Sequence, residues 1–251
     1  MRTVYLEETD STNEECKRFF EKEGVPEGGI VFASDYQSAG KGRRGRTWVS
    51  PKGVNIYFSL LIKPDIEPDK ASMMTLLMGM AVAKAVDELT GGDNCRIKWP
   101  NDIVINGMKI CGILTEMTLN GTDMEYVVIG TGINCLKQNF TGDFAGHAGD
   151  IESLTDVKVD RKDLLNKTLG YFEENLDLFI KYKDLTPLRD EYNNRLVSMD
   201  CEVRVLDPHG EYDGISRGID NRGRLVVECG DGTIKNVDAG EVSVRGLYGY
   251  V

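Results

Sequence analysis

The chain has 251 residues, with 30 Lys and Arg against 41 Asp and Glu, a formal net charge of −11. That balance argues against duplex DNA as a partner, because affinity there comes largely from neutralising phosphates. No apolar run reaches bilayer-spanning length, and the opening MRTVYLEETDSTNEE turns acidic with no signal-peptide core, so a cytoplasmic protein with no membrane contact is predicted.

In chain order, residues 2–7 read as a short strand. Asp10-Ser11-Thr12 offers N-cap chemistry for a helix over 13–23, with Glu14 and Glu15 in its first turn. Residues 30–36 are β-prone, and VNIYFSLLI at 54–62 reads as a buried strand. A helix over 69–89 carries Met73, Leu76, Leu77, Met80, Ala83 and Val86 at helical spacing, a core stripe. Strands follow at 95–98, 102–106, 108–118 and 124–133. Asn106-Gly107 marks a two-residue hairpin, and Asn120-Gly121-Thr122 a second reversal. The stretch 136–158 lacks periodicity and reads as a loop. Helices over 160–182 and 186–196 come next, the first with an apolar face from Leu164 to Ile180. From 201 to 246 the texture changes to short β-rich runs between turns such as Asp207-Pro208-His209-Gly210, which predicts a small barrel after a boundary near 198.

The six cysteines form no C-x-x-C pair and read as reduced thiols. Two histidines, His147 and His209, argue against a Ser-His-Asp triad or a His-rich metal site. The exceptional stretch is AGKGRRGRTW at 39–48. Gly40, Gly42 and Gly45 permit positive φ and close backbone approach, and Lys41, Arg43, Arg44 and Arg46 add charge-assisted donors. It is neither a Walker A loop nor a dinucleotide fingerprint. Phosphate binding, RNA binding and a solvated basic turn all fit the spacing. KWPNDIVINGMKICGIL at 98–114 places Lys98, Asn101 and Asp102 around a proline, and Lys109 after the hairpin. Taken singly, Asp102 as a turn cap and Lys109 as a solvated charge are the simpler readings. IGTGINC at 129–135 ends a buried strand in small residues before Asn134.

Taken together and in this order, DSTN, YQSAGKGRRGRTW, NIYFSLLI, KWPNDIVINGMKICGIL, IGTGIN and GISRGID closely resemble biotin protein ligases over about residues 3–246. The resemblance implies an α+β fold: a mixed β-sheet catalytic domain flanked by helices, class II synthetase-like, over 1–198, and a small SH3-like β-barrel over 199–251. It implies the form without the N-terminal DNA-binding domain that some members carry. It implies that biotin and MgATP give biotinyl-5′-AMP, and that the biotinyl group then passes to one lysine of a biotin carboxyl carrier protein. A homodimer is consistent with the family.

By the same resemblance, Ser11, Thr12, Asn13, Gln37, Gly40, Lys41, Gly42, Arg43, Lys109 and Gly112 are the biotin side of the site. Arg43, Arg44, Arg46, Trp48, Lys98, Asn101, Asp102 and Asn134 are its ATP side. Arg43, Lys109 and Asp102 carry the chemistry, with Asp102 reaching Mg²⁺ through water and serving as proton acceptor in the transfer step. Three departures stand out. Lys41 occupies a position where many members have arginine. No tryptophan occurs over 145–154, where the family often presents one to adenine. Glu241 and Arg245 sit where members influence ATP and carrier binding, or are plain surface charges. A lipoate–protein ligase and a non-catalytic biotin- or nucleotide-binding sensor are the alternative readings.

Overall fold

The computed structural model describes residues 1–207, 210–239 and 243–246. Seven strands form one mixed sheet in the order β1-β2-β3-β7-β6-β5-β4. They are β1 (Arg2–Leu6), β2 (Ile30–Ser34), β3 (Asn55–Ile62), β4 (Cys95–Lys98), β5 (Asp102–Ile105), β6 (Met108–Asn120) and β7 (Asp123–Asn134). β1 and β2 run parallel and the other pairs antiparallel. Every residue of β3 is buried, as a central strand covered on both faces requires. The β5–β6 turn sits at Asn106 (φ 50°) and Gly107 (φ 75°), the doubly positive pair that a tight hairpin demands.

Helices cover both faces. On one lies α1 (Thr12–Glu23), whose Cys16 packs with Ile30, Phe32, Leu61, Tyr126 and Val128. On the other lies α2 (Met73–Thr90), with α4 (Arg161–Tyr182) outside it. The methionine-rich stripe expected of α2 is only part of the truth. All but four of its 18 residues are buried, because the helix is sandwiched between the sheet and α4. Asn175 of α4 donates to the Leu77 carbonyl at 3.1 Å inside that seam. α2 begins later than its apolar pattern suggested, since Pro68–Lys70 forms a separate 3₁₀ turn.

The stretch 136–158 is not a featureless loop. It holds a 3₁₀ turn at Gly142–Phe144 and α3 (Ile151–Thr155). The Asp150 carboxylate accepts the Ser153 N–H at 2.7 Å and the Gln138 N–H at 3.3 Å, so one side chain caps the helix and closes the loop behind it. α5 (Arg189–Arg195) leads to a second, antiparallel sheet in the order β11-β10-β9-β8-β12. It comprises β8 (Glu202–Leu206), β9 (Tyr212–Ile219), β10 (Leu225–Cys229), β11 (Ile234–Val237) and β12 (Ser243–Gly246), a meander with the last strand folded back beside the first. Val203, Val205, Ile219, Leu225, Val227 and Val237 join the main core, and Trp99 Nε1 donates to the Gly223 carbonyl at 3.0 Å. His209 and Glu241 lie outside the described residues, as does the side chain of Arg245.

Candidate active site

On the α1 face, residues alternate so that Gly112 and Leu114 of β6 and Gly130 and Gly132 of β7 floor a pocket. The glycines are steric requirements. A Cβ on Gly132 would collide with the Trp48 indole, and one on Gly130 with the Asn13 amide; on Gly112 it would meet Trp48 at 2.7 Å and Lys109 Nζ at 3.1 Å.

The polar end is built by the start of α1. Ser11 takes the N-cap position in an extended conformation (φ −158°, ψ 135°), yet its hydroxyl does not cap. The Asp10 carboxylate accepts the Ser11 N–H at 2.7 Å instead. The Ser11 hydroxyl thus lines the pocket with no hydrogen bond from it among the described residues, contrary to its expected capping duty. Thr12 N–H and Gln37 Oε1 meet at 2.9 Å, and Gln37 Nε2 donates to Ser50 Oγ at 2.9 Å. Asn13 Nδ2 donates to Glu116 at 2.6 Å, and Ser59 Oγ donates to Asn13 Oδ1 at 2.5 Å.

The charged end is built by the basic loop and the β5–β6 hairpin. Gly42 N–H donates to the Arg46 carbonyl at 2.7 Å and Trp48 N–H to the Gly40 carbonyl at 2.9 Å, folding 40–48 into a small hairpin around a 3₁₀ turn at Arg43–Gly45. Gly40 lies under this hairpin, where a Cβ would collide with the Trp48 carbonyl. Arg43 enters the pocket and donates to Asn101 Oδ1 at 2.8 Å and to the Ala239 carbonyl at 2.5 Å. Burial disfavours its charge and the Asp102 carboxylate offsets that cost, so a cation sits half-withdrawn from water at this end of the pocket. Lys109 Nζ pairs with Asp102 at 2.6 Å and lies 5.2 Å from the Trp48 ring centre. Among the described residues, Trp48 Nε1 is buried without a partner, a donor facing the glycine floor.

Other expected site residues lie elsewhere. Lys41 borders the pocket, but its ammonium turns to Glu14 of α1 at 2.6 Å. Arg44 and Arg46 are exposed and do not line the pocket, since the left-handed backbone at Arg44 (φ 57°) turns the chain outward there. Lys98 lies in β4 opposite Asp102 and does not line the pocket. Asn134 is buried and acts on the backbone: its Nδ2 donates to the Gly149 carbonyl at 3.0 Å. That bond ties down a strap in which Lys109 N–H donates to the His147 carbonyl at 2.9 Å and Gly149 N–H to the Lys109 carbonyl at 3.0 Å. Ser59, Glu116, Gly130 and Gly132 were not singled out from the sequence. Ser59 had a signal, one hydroxyl within the apolar run NIYFSLLI.

For a metal, no group of three or more His, Cys, Asp or Glu forms a cluster among the described residues. Asn101 and Asp102 are the nearby oxygen donors, which suits a magnesium ion delivered with nucleotide phosphates and water rather than a dedicated cage. Burial raises the Cys16, Cys95, Cys111 and Cys135 thiols far above their usual range, so they are inert packing groups.

A pocket with a neutral polar end, a glycine floor and a cationic end defines a site for an elongated acid. The chain belongs to the biotin/lipoate A/B protein ligase family, whose model matches residues 5–134. A model for the biotin protein ligase C-terminal domain matches residues 201–245. The chain is 31% identical over 222 residues to the biotin–[acetyl-CoA-carboxylase] ligase of Mycobacterium tuberculosis, covering 85% of this chain and 78% of that one. It is 33% identical over 236 residues to the bifunctional ligase/repressor BirA of Escherichia coli, covering 94% and 72%. The fold matches the biotin protein ligase of Aquifex aeolicus in complex with biotin and ATP, with a TM-score of 0.83, 28% identity, and 98% and 99% of the chains covered.

Proposed function

We propose that the protein condenses biotin with ATP to give biotinyl-5′-AMP and pyrophosphate, then transfers the biotinyl group to a lysine of a biotin carboxyl carrier protein. The observation that carries this reading is the convergence of Lys109 and Arg43 at one end of the pocket whose other end holds Ser11, Thr12, Asn13 and Gln37. A cyclic urea has two N–H donors and a carbonyl acceptor, and burying it requires hydroxyls and amides to replace water. A carboxylate at the other end needs cations.

In the first step a biotin carboxylate oxygen bonds to the α-phosphorus while the bond to pyrophosphate breaks. Two anions approach, and Lys109 and Arg43 lower that repulsion and hold the charge of the transition state. Asp102 keeps the Lys109 ammonium pointed along the floor. Magnesium, bound with the nucleotide, would neutralise phosphate charge, and Asn101 and Asp102 would hold it through water. In the second step the carrier lysine amine bonds to the acyl carbon, AMP leaves, and Asp102 takes the proton. An Asp102→Asn variant that transferred from preformed adenylate at the normal rate would remove Asp102 from that role.

Several finer assignments belong to this reading. Residues 1–198 form the ligase-type domain and 199–251 the SH3-like one. The protein acts in the cytoplasm without binding DNA. It forms a homodimer, through either a sheet edge or the loop face; β6 beyond Gly112 has no strand partner on the β5 side among the described residues. Pyrophosphate release from ATP tests the activity, with biotin and lipoate compared and no carrier present. Release with biotin is expected. Release with lipoate alone would make the protein a lipoate ligase, and release with neither would make it a binding module.

A further inference from the structure

Asn101 directly precedes β5 and lines the charged end of the pocket. Its main chain is pinned to β6, where its carbonyl accepts the Ile113 N–H at 2.9 Å. Its amide gives one hydrogen to the Ile113 carbonyl at 3.2 Å and the other to Asp102 Oδ1 at 3.0 Å. The same Asp102 oxygen takes the Lys109 ammonium at 2.6 Å. On the other side, Asn101 Oδ1 accepts from Arg43 Nη1 at 2.8 Å. Each of these contacts dictates the same orientation independently. A carbonyl and a carboxylate only accept, and a guanidinium only donates. Turning the amide over would set its oxygen against two acceptors and its hydrogens against a donor. Asn101 therefore has no hydrogen free for a nucleotide, and it presents one rigid acceptor to Arg43.

That acceptor matters because Arg43 is held against two opposing effects. Burial disfavours its charge, and Lys109 lines the same end of the pocket, so two cations share it and repel. The guanidinium is gripped from both sheets: by Asn101 ahead of β5, and by the Ala239 carbonyl beyond β11 at 2.5 Å. We propose that Asn101 is a positioning residue for the first step, fixing the Arg43 guanidinium through Oδ1 where the biotin carboxylate and the α-phosphate meet. This rests on the biotin-ligase reading above. It is separate from any contact with magnesium through water, for which Oδ1 keeps a second lone pair.

The experiment measures pyrophosphate release by the whole chain with biotin and ATP, no carrier and saturating magnesium. It records kcat, KM for each substrate and the thermal midpoint for wild type, N101A, N101S, R43Q and R43Q/N101A. N101A and N101S are expected to lower kcat roughly ten- to a hundredfold, the scale of one hydrogen bond to a charged group, with a smaller change in either KM. Adding N101A to R43Q should cost less than about threefold further, because the group it acts through is gone. A residue that only held the fold together would lower the thermal midpoint and multiply its loss with that of R43Q. Such multiplication would overturn the proposal, as would a loss confined to KM. So would recovery of kcat on raising magnesium, which would make the metal contact the whole of Asn101's role. Failure of both N101A and N101S to fold would make Asn101 a structural residue and overturn it too. A wild type that releases no pyrophosphate with biotin would sink the ligase reading and this inference together. An active wild type whose Asn101 variants keep kcat within about twofold would sink this inference alone.

Discussion

Lys109 and Lys41 were both expected at the anionic substrate, and the structure separates them. Lys109 points along the glycine floor between Asp102 and the Trp48 ring, whereas Lys41 is held by Glu14. Lys109→Gln is therefore expected to lower the rate of biotin-dependent pyrophosphate release roughly a hundred- to a thousandfold, the usual cost of one preorganised donor at developing charge. Lys41→Gln should change it by less than about threefold, the scale of an exposed ion pair. Comparable losses in the two variants would refute the division of labour. Nothing in the local sequence distinguishes the two cations, because both follow glycine-rich or hairpin turns. The difference comes from Glu14, which one turn of α1 sets beneath the loop.

Among the elements, the basic hairpin and the strap over 136–150 shape the charged end from opposite sides. Four like charges on residues 41–46 repel, opposed by backbone bonds such as Gly42–Arg46 and by the contacts of Lys41 with Glu14 and of Arg43 with Asn101. Biotin with ATP should therefore protect this segment from limited proteolysis, as anions neutralise the charge; equal cleavage with and without ligands would argue against closure. The strap depends on Asp150, which caps α3 and also accepts from Gln138. Asp150→Ala should cost about 1 kcal/mol in urea unfolding, and ATP KM should rise because the strap is bonded to Lys109 and Asn134. The stretch 136–158 reads as loop in the sequence because its glycines and polar residues mask a five-residue helix with no apolar period. The hairpins, by contrast, were plain from Asn106-Gly107, since few other pairs accept two positive φ values.

At the scale of the whole molecule, the apolar core runs from the seven-stranded sheet into the second one, and Trp99 and Arg189 bridge them through Gly223 and Asn221. Unfolding followed by tryptophan fluorescence and by far-ultraviolet circular dichroism should give coincident transitions; two separated transitions would show the sheets to be independent. Acid should weaken the fold in a defined window. Arg18 holds the Asp10 and Glu15 carboxyls below their usual ranges, and Lys41 then Lys17 do so for Glu14. Each depressed group stabilises the fold above its unfolded value, about 3.8 for Asp and 4.5 for Glu, and that contribution is lost as pH falls through the folded value. The thermal midpoint should therefore drop from about pH 4.5 downward, and less so in Glu15→Gln; an unchanged slope would remove these pairs from the account.

The order of strands and helices, the two turns at Asn106-Gly107 and Gly121, and the motifs that resemble biotin ligases were legible in the residues themselves, because periodicity, φ requirements and local charge are properties of short segments. Which cations face the pocket, why Gly112, Gly130 and Gly132 lack side chains, and how Glu116 comes to hold Asn13 were decided only by the tertiary structure. Those depend on side chains from β3, β6, β7 and α1 meeting across distances in sequence of up to about a hundred residues, which no short segment specifies.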